Sequence, residues 1–212
     1  RRHTRLVSDW SSDVCSSDLL YLPSAAMSRE SSRGGLEVER ARLVWPLSLS
    51  LVLGLAFALR LPSLLEGFWI DEVMSAAIID DRWDLMLTRI GFTDVHPPGY
   101  YLILKLWSLI FGGSDVALRG LSMVAGLSTI WLLMLWLRQR EGVGVVIVAG
   151  LILACSPFHA HSSVEVRSYA LFTLVALSLA FAVERFLRSQ ASPPPWLIIG
   201  LEIATLSLHY YG

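Results

Sequence analysis

The chain has 212 residues, of which 54% are hydrophobic and 17% charged, with a net charge of -1 and a mean hydropathy of +0.57. That is too apolar for a soluble domain of this length, and a near-neutral balance offers no bulk attraction to nucleic acid. The informative charge is local, in which connecting loops carry arginine.

Residues before Met27 are expected to be foreign to the fold. Asp9 to Leu19 has no periodicity and corresponds, codon for codon, to a common sequencing adapter. It also lacks the basic, apolar and small-residue order of a signal peptide. Residues 1–26 are therefore read as an assembly artefact and 27–42 as a polar cytoplasmic tail. Residues 43–212 are read as the N-terminal part of a transmembrane domain cut short at its C-terminus. With Cys15 set aside, Cys155 stands alone in an apolar run, and one thiol supports neither a disulfide framework nor a zinc site.

Five segments are apolar and long enough, or nearly so, to span roughly 30 Å of hydrocarbon. They are Leu43–Leu61, Val116–Leu137, Val143–Phe158, Tyr169–Leu187 and Trp196–Tyr211. Each is expected to be helical, because an isolated strand leaves its backbone unsatisfied in lipid. Tyr100–Phe111 is shorter and contains Lys105, which suits an interfacial helix. With that segment on the surface, Arg40/Arg42, Arg138/Arg140 and Arg185/Arg188 all fall on one side, which is then cytoplasmic. The loop from Pro62 to Asp115 becomes external, with Glu72 to Leu87 expected as one amphipathic helix in the interface. Ser192-Pro-Pro-Pro195 is a stiff cytoplasmic connector.

The external side gathers the polar tools. Asp71 and Glu72 follow Phe68-Trp69-Ile70, an apolar setting that suits a general base at Asp71. Neighbours in sequence diverge on any regular structure, so the two acids have separate roles, Glu72 orienting a neighbour or an acceptor. An acid at this place is also explained, and more simply, as a helix cap. His96-Pro-Pro-Gly99 is a rigid turn that either aims an imidazole at a phosphate or metal or starts the next helix. Glu165 and Arg167 could pair, place a metal or hold an anionic leaving group. Interfacial anchoring by Arg167 and Tyr169 explains that segment too. His159 and His161 are weak evidence for metal, and His209 is a further candidate lining group.

The order of these motifs is more telling than any one of them. Asp71-Glu72 after the first span, His96-Pro-Pro-Gly-Tyr-Tyr101, a helix ending Phe111-Gly-Gly113, Ala117-Leu-Arg119, Ser156-Pro-Phe158 and Glu165-Val-Arg-Ser-Tyr169 follow in turn. As a set they resemble the membrane glycosyltransferases of the GT-C fold, within the protein O-mannosyltransferase and aminoarabinose transferase family and its family-39-like bacterial members. The resemblance covers about Leu43 to Gly212. It implies an all-α integral membrane bundle with a long first external loop carrying interfacial helices, in a bacterial plasma membrane. It further implies inverting transfer of a sugar from a polyprenyl-phosphate donor to a lipid, glycan or protein acceptor at the external face. Asp71 matches the family's catalytic acid, and Asp71 and Glu72 together are the catalytic candidates. His96, Glu165, Arg167, Tyr169 and His209 become substrate-binding candidates, and Asp71 and Glu165 the candidate ligands should a divalent metal take part. A secondary transporter would instead place ionisable groups near the bilayer midplane on broken helices. A non-catalytic scaffold would not require the ordered motif set.

Overall fold

The computed structural model describes residues 24–93, 97–188 and 193–209, all helices and their connections. Residues 1–23, where most of the expected artefact falls, lie outside the described residues, as do His96, Tyr210 and Tyr211. The chain separates into two units, Arg1–Val44 and Trp45–Gly212, and the site lies in the second. In chain order the helices are α1 (Ser24–Leu64), α2 (Ile70–Asp80), α3 (Trp83–Thr93), α4 (Gly99–Phe111) and α5 (Asp115–Arg138). They continue with α6 (Val143–Cys155), α7 (Pro157–Ser162), α8 (Tyr169–Arg188) and α9 (Pro195–Leu208). The backbone is already helical through residues 27–42, where a polar tail was expected.

Among the described residues, three helical stretches are long and apolar enough to cross a membrane: Leu43–Leu64, Asp115–Arg138 and Tyr169–Arg188. The other two expected segments contain shorter apolar helices, α6 and α9. At 13 and 14 residues, α6 and α9 extend about 20 Å, short of the roughly 30 Å hydrocarbon core. The expected Val143–Phe158 segment breaks at Ser156, whose hydroxyl accepts the His159 N–H at the start of α7 while Pro157 takes a first-turn position. Proline has no N–H for the α6 ladder, and it is well suited to opening a helix. The last segment ends as a helix at Leu208.

The loop between α1 and α5 carries three helices. The single amphipathic helix expected from Glu72 to Leu87 is two, because the backbone is extended at Asp81 (φ -61°, ψ 156°). That break explains Lys105. Its Nζ donates to the carbonyls of Ile79 at 2.6 Å and Asp81 at 2.5 Å and stands 5.1 Å from the Trp83 ring centroid. A buried ammonium is tolerable here because the end of α2 supplies carbonyls without helical partners and the negative end of the helix dipole. So α4 is tied to α2 by a charge and packs on α5 and α9 as well. Gly99 opens α4 because nothing larger fits: a Cβ there would sit 2.5 Å from the Ser207 carbonyl oxygen on α9.

Two apolar clusters hold the second unit together. One joins Ile78, Met86, Tyr100, Leu104, Leu118, Val166 and Leu208, tying the loop helices to the start of α5 and the segment before α8. The other joins Val52, Ala56, Ile130, Met134, Val146 and Ala154, binding α1, α5 and α6. Along α5, Arg119 and Arg138 lie about 28 Å apart at 1.5 Å per residue. The site described next sits at the Arg119 end, and Arg138, Arg140, Arg185 and Arg188 gather at the other. If the arginine-rich end is cytoplasmic, a membrane-impermeant thiol reagent should label Asp84→Cys and spare Gln139→Cys. The measurement uses right-side-out membranes and a Cys15→Ser, Cys155→Ser background. Labelling at Gln139→Cys would reverse the orientation.

Candidate active site

The site begins with the way α2 starts. Trp69 occupies the N-cap with extended backbone (φ -75°, ψ 162°). The Glu72 carboxylate, three residues on, reaches back to accept the Trp69 N–H at 3.0 Å. An acid in this position satisfies an orphan donor and favours the positive end of the helix dipole. Asp71 therefore does not occupy the cap itself. One residue from Glu72, it faces the opposite environment: its side chain is 69% exposed and that of Glu72 is 1% exposed. The apolar shelter expected for Asp71 is not there.

Glu72 is the best-connected group of the site. Its Oε1 accepts from Arg119 Nε at 2.9 Å and from the Val166 N–H at 3.0 Å, and its Oε2 from an Arg119 terminal nitrogen at 2.6 Å and the Trp69 N–H. That fills the roughly four acceptor positions of a carboxylate. Arg119 is equally saturated. Beyond its two bonds to Glu72 it donates to the carbonyls of Ser63 at 2.9 Å, Gly67 at 3.0 Å and Glu66. All five guanidinium N–H groups are thus used. The turn after α1, the first turn of α5 and the segment before α8 converge on one buried ion pair. Such a carboxylate orients its neighbours and offers no oxygen to an acceptor. Burial by itself pushes the Glu72 carboxyl up, but Arg119 and the two backbone N–H groups outweigh it and hold it below the usual carboxylate range.

The exposed side of this junction is where chemistry is accessible. Arg167, mostly buried, donates to Asp71 Oδ2 at 3.2 Å, so it pairs with the acid of a separate segment and not with Glu165, the partner the sequence offered. Asp71 Oδ1 meets no donor among the described residues. The segment bearing Arg167 is braced in turn: Ser122 on α5 donates to the Glu165 carbonyl at 2.5 Å, and the Arg167 N–H donates to the same oxygen at 2.8 Å. The Glu165 side chain pairs with His161 Nε2 at 3.0 Å. An open cleft of about 320 Å³ is lined by Trp69, Ile70, Asp71, His161 and Glu165. Beside it a tighter one of about 170 Å³ reaches Glu66 and the Glu72–Arg119 pair. Asp71 and Glu165, the candidate metal ligands, share the larger cleft. Among the described residues, however, no group of three or more His, Cys, Asp or Glu side chains is arranged to hold an ion.

Other expected residues lie elsewhere. Tyr169 and His209 make their own contact, ring centroids 6.3 Å apart, and His209 also packs on Phe172 at 5.3 Å. His96 is outside the described residues. Two groups escaped the sequence reading. Arg119 was noted within a motif but given no task. Arg60, within the first span, is buried and donates to His159 Nδ1 at 2.8 Å and to the Ala56 carbonyl at 2.7 Å. Its only sequence signal is its cost, since a lone arginine in an apolar helix demands a partner. Desolvation, then the Arg60 charge, push His159 down to about 4, so it stays neutral and accepts from Arg60.

Breaking a buried pair on one side strands the other charge. Glu72→Gln or Arg119→Met should each cost about 3–5 kcal/mol, measured by unfolding in detergent. Together they should cost clearly less than the sum. The acid form of Glu72 cannot keep these bonds and its folded-state carboxyl is depressed, so its stabilisation is present above about 4.5 and is lost as pH falls through the lower folded-state value. Glu72→Gln should flatten that acid limb. Additive costs with an unchanged acid limb would remove the pair from its central place.

Residues 95–211 match the sequence profile of a family described as dolichyl-phosphate-mannose-protein mannosyltransferase. The match begins after Asp71 and Glu72. Neither the curated proteins nor the solved structures contain a match to this chain. The match covers more than half of the chain, and three helices are able to cross a membrane. The chain is an integral membrane protein of the GT-C mannosyltransferase-like glycosyltransferase family.

Proposed function

We propose that the protein transfers a sugar, with inversion, from a polyprenyl-phosphate donor to a hydroxyl of a glycan, lipid or protein acceptor at the external face of a bacterial plasma membrane. The observation that carries this reading is the Asp71–Arg167 pair, whose Asp71 lines a cleft, at the end of α5 and α8 remote from the arginine clusters. Arginine-rich ends favour the cytoplasmic side, which supports an external cleft. A donor with a polyprenyl tail needs no water-filled pocket for it, because apolar helix surfaces accept it from the bilayer.

Transfer makes a bond from the acceptor oxygen to the anomeric carbon and breaks the bond from that carbon to the phosphate oxygen. The acceptor proton must leave on one side while charge grows on the departing phosphate. Asp71 Oδ1 is the open carboxylate oxygen for that proton, with Oδ2 steadied by Arg167. The remaining N–H groups of Arg167 are suited to the phosphate, as a preorganised donor fork that needs no rearrangement as charge develops. The His161–Glu165 pair lines the facing wall, and Trp69, two-thirds exposed, offers an aromatic face to the sugar. Glu72 is a positioning residue in this scheme. A metal, if one takes part, would draw on Asp71 and Glu165, and no step above is routed through it.

Asp71→Asn keeps shape and removes the base, so transfer from a polyprenyl-phosphate sugar should fall by about 10²–10⁴-fold with donor binding retained. Arg167→Ala should weaken donor binding and slow turnover together, having lost a contact present in ground and transition states. Wild-type transfer by Asp71→Asn would reduce Asp71 to a first-turn acid that merely holds Arg167.

A further inference from the structure

The arginine-rich end of the bundle contains a cleft that the glycosyltransferase reading does not use. It opens between α5, α8 and α9, measures about 540 Å³, and is lined by Leu132, Ser178, Phe181, Arg185, Leu197 and Leu201. Its polarity is graded. Arg185, near the end of α8, stands at the rim, and Ser178 lies two turns deeper, about 10 Å along the helix axis. The Ser178 hydroxyl is turned back onto the Leu174 carbonyl at 2.7 Å, so the inner part presents hydrocarbon. One cation at the mouth of an apolar slot, at the depth where a helix leaves the membrane, has the profile of a phospholipid: a phosphate at the rim and an acyl chain inward.

The surrounding charges sharpen the case. Glu184 is the carboxylate that pairs with the arginines of this end, shared by Arg140, by Arg188 at 2.8 Å and by the Trp136 indole at 2.6 Å, whereas Glu141, in the turn after α5, forms no ion pair with them among the described residues. Arg138 lies over the Trp45 ring, 4.4 Å from its centroid. Among the described residues Arg185 has no carboxylate partner; its guanidinium stands 5.8 Å from the Phe181 ring. Four arginines therefore meet two acids at this end, Glu184 and Glu141, and leave local positive charge unspent, at the cleft itself. We propose that this cleft binds one anionic phospholipid of the arginine-side leaflet, its phosphate on Arg185 and one acyl chain against Leu132, Leu197 and Leu201. A zwitterionic lipid fills the same slot without answering the excess charge.

The test uses the whole chain in nanodiscs of mixed phosphatidylglycerol and phosphatidylcholine, released and read by native mass spectrometry. Wild type should retain phosphatidylglycerol about fivefold over phosphatidylcholine, the ratio expected for one membrane-proximal arginine. Arg185→Gln should bring the two to parity. Arg188→Gln, whose charge is already met by Glu184, should leave the preference in place. A phosphatidylglycerol carrying a photoreactive acyl chain should mark peptides containing Leu197 and Leu201. Parity in the wild type, an equal loss in both arginine variants, or labelling confined to other helices would each overturn the proposal. So would a chain dimer in the same spectra that excludes lipid, which would give the cleft to a second copy.

Discussion

The Glu72 carboxylate is the constraint on which the rest of the site depends. Four donors from three segments meet on its two oxygens, and the guanidinium of Arg119 spends its other bonds on the turn that follows α1. In a bundle whose helices touch mostly through hydrocarbon, dispersion contacts are non-directional and leave helix ends free to slide. A saturated ion pair is directional, and it is costly to leave half-made. It therefore sets the register of α2 against α5 and of the segment before α8 against both. Asp71 and Arg167 face one another because the residues beside them are clamped.

This arrangement divides labour between adjacent acids. Glu72 is enclosed and committed, whereas Asp71 projects to the cleft with one oxygen open. A helix start makes the division natural, since successive side chains leave the axis in different directions and only the residue three beyond the cap reaches back to it. Lys105 does similar work at the far end of α2, bonding its last carbonyls. Both ends of one short helix are thus fixed by buried charge, which gives the loop between α1 and α5 a rigid floor that apolar packing alone would not provide.

The opposite end of the bundle is organised differently. Its arginines are exposed or half-exposed, and they share Glu184 or lie on tryptophan and phenylalanine rings. Exposed pairs of this kind add little stability, and under the proposal above the charge they leave over is what a lipid headgroup answers.

Hydropathy and arginine placement were sufficient for an all-helical membrane protein, for the three long spans, and for the separation of an acidic, histidine-bearing side from a basic one. The motif order by itself points to the family that the sequence profile matches. Asp71 and Arg167 were legible as groups of one surface because each is a charged residue beside an apolar span, but their pairing with each other was not, since Glu165 is the nearer acid in sequence. The sequence was silent on Arg119 as the partner of Glu72, 47 residues away, because nothing local distinguishes a clamping arginine from a solvated one. Likewise the break of the third apolar segment at Ser156, the splitting of the loop helix at Asp81 and the Arg60–His159 contact depend on which groups come within bonding distance after packing. Composition and pattern act through solvent, which each residue meets singly, and so they determine which end of the bundle a group occupies. Hydrogen-bond saturation is a property of several segments at once, and only the tertiary structure decided which acid was to be buried and which left open.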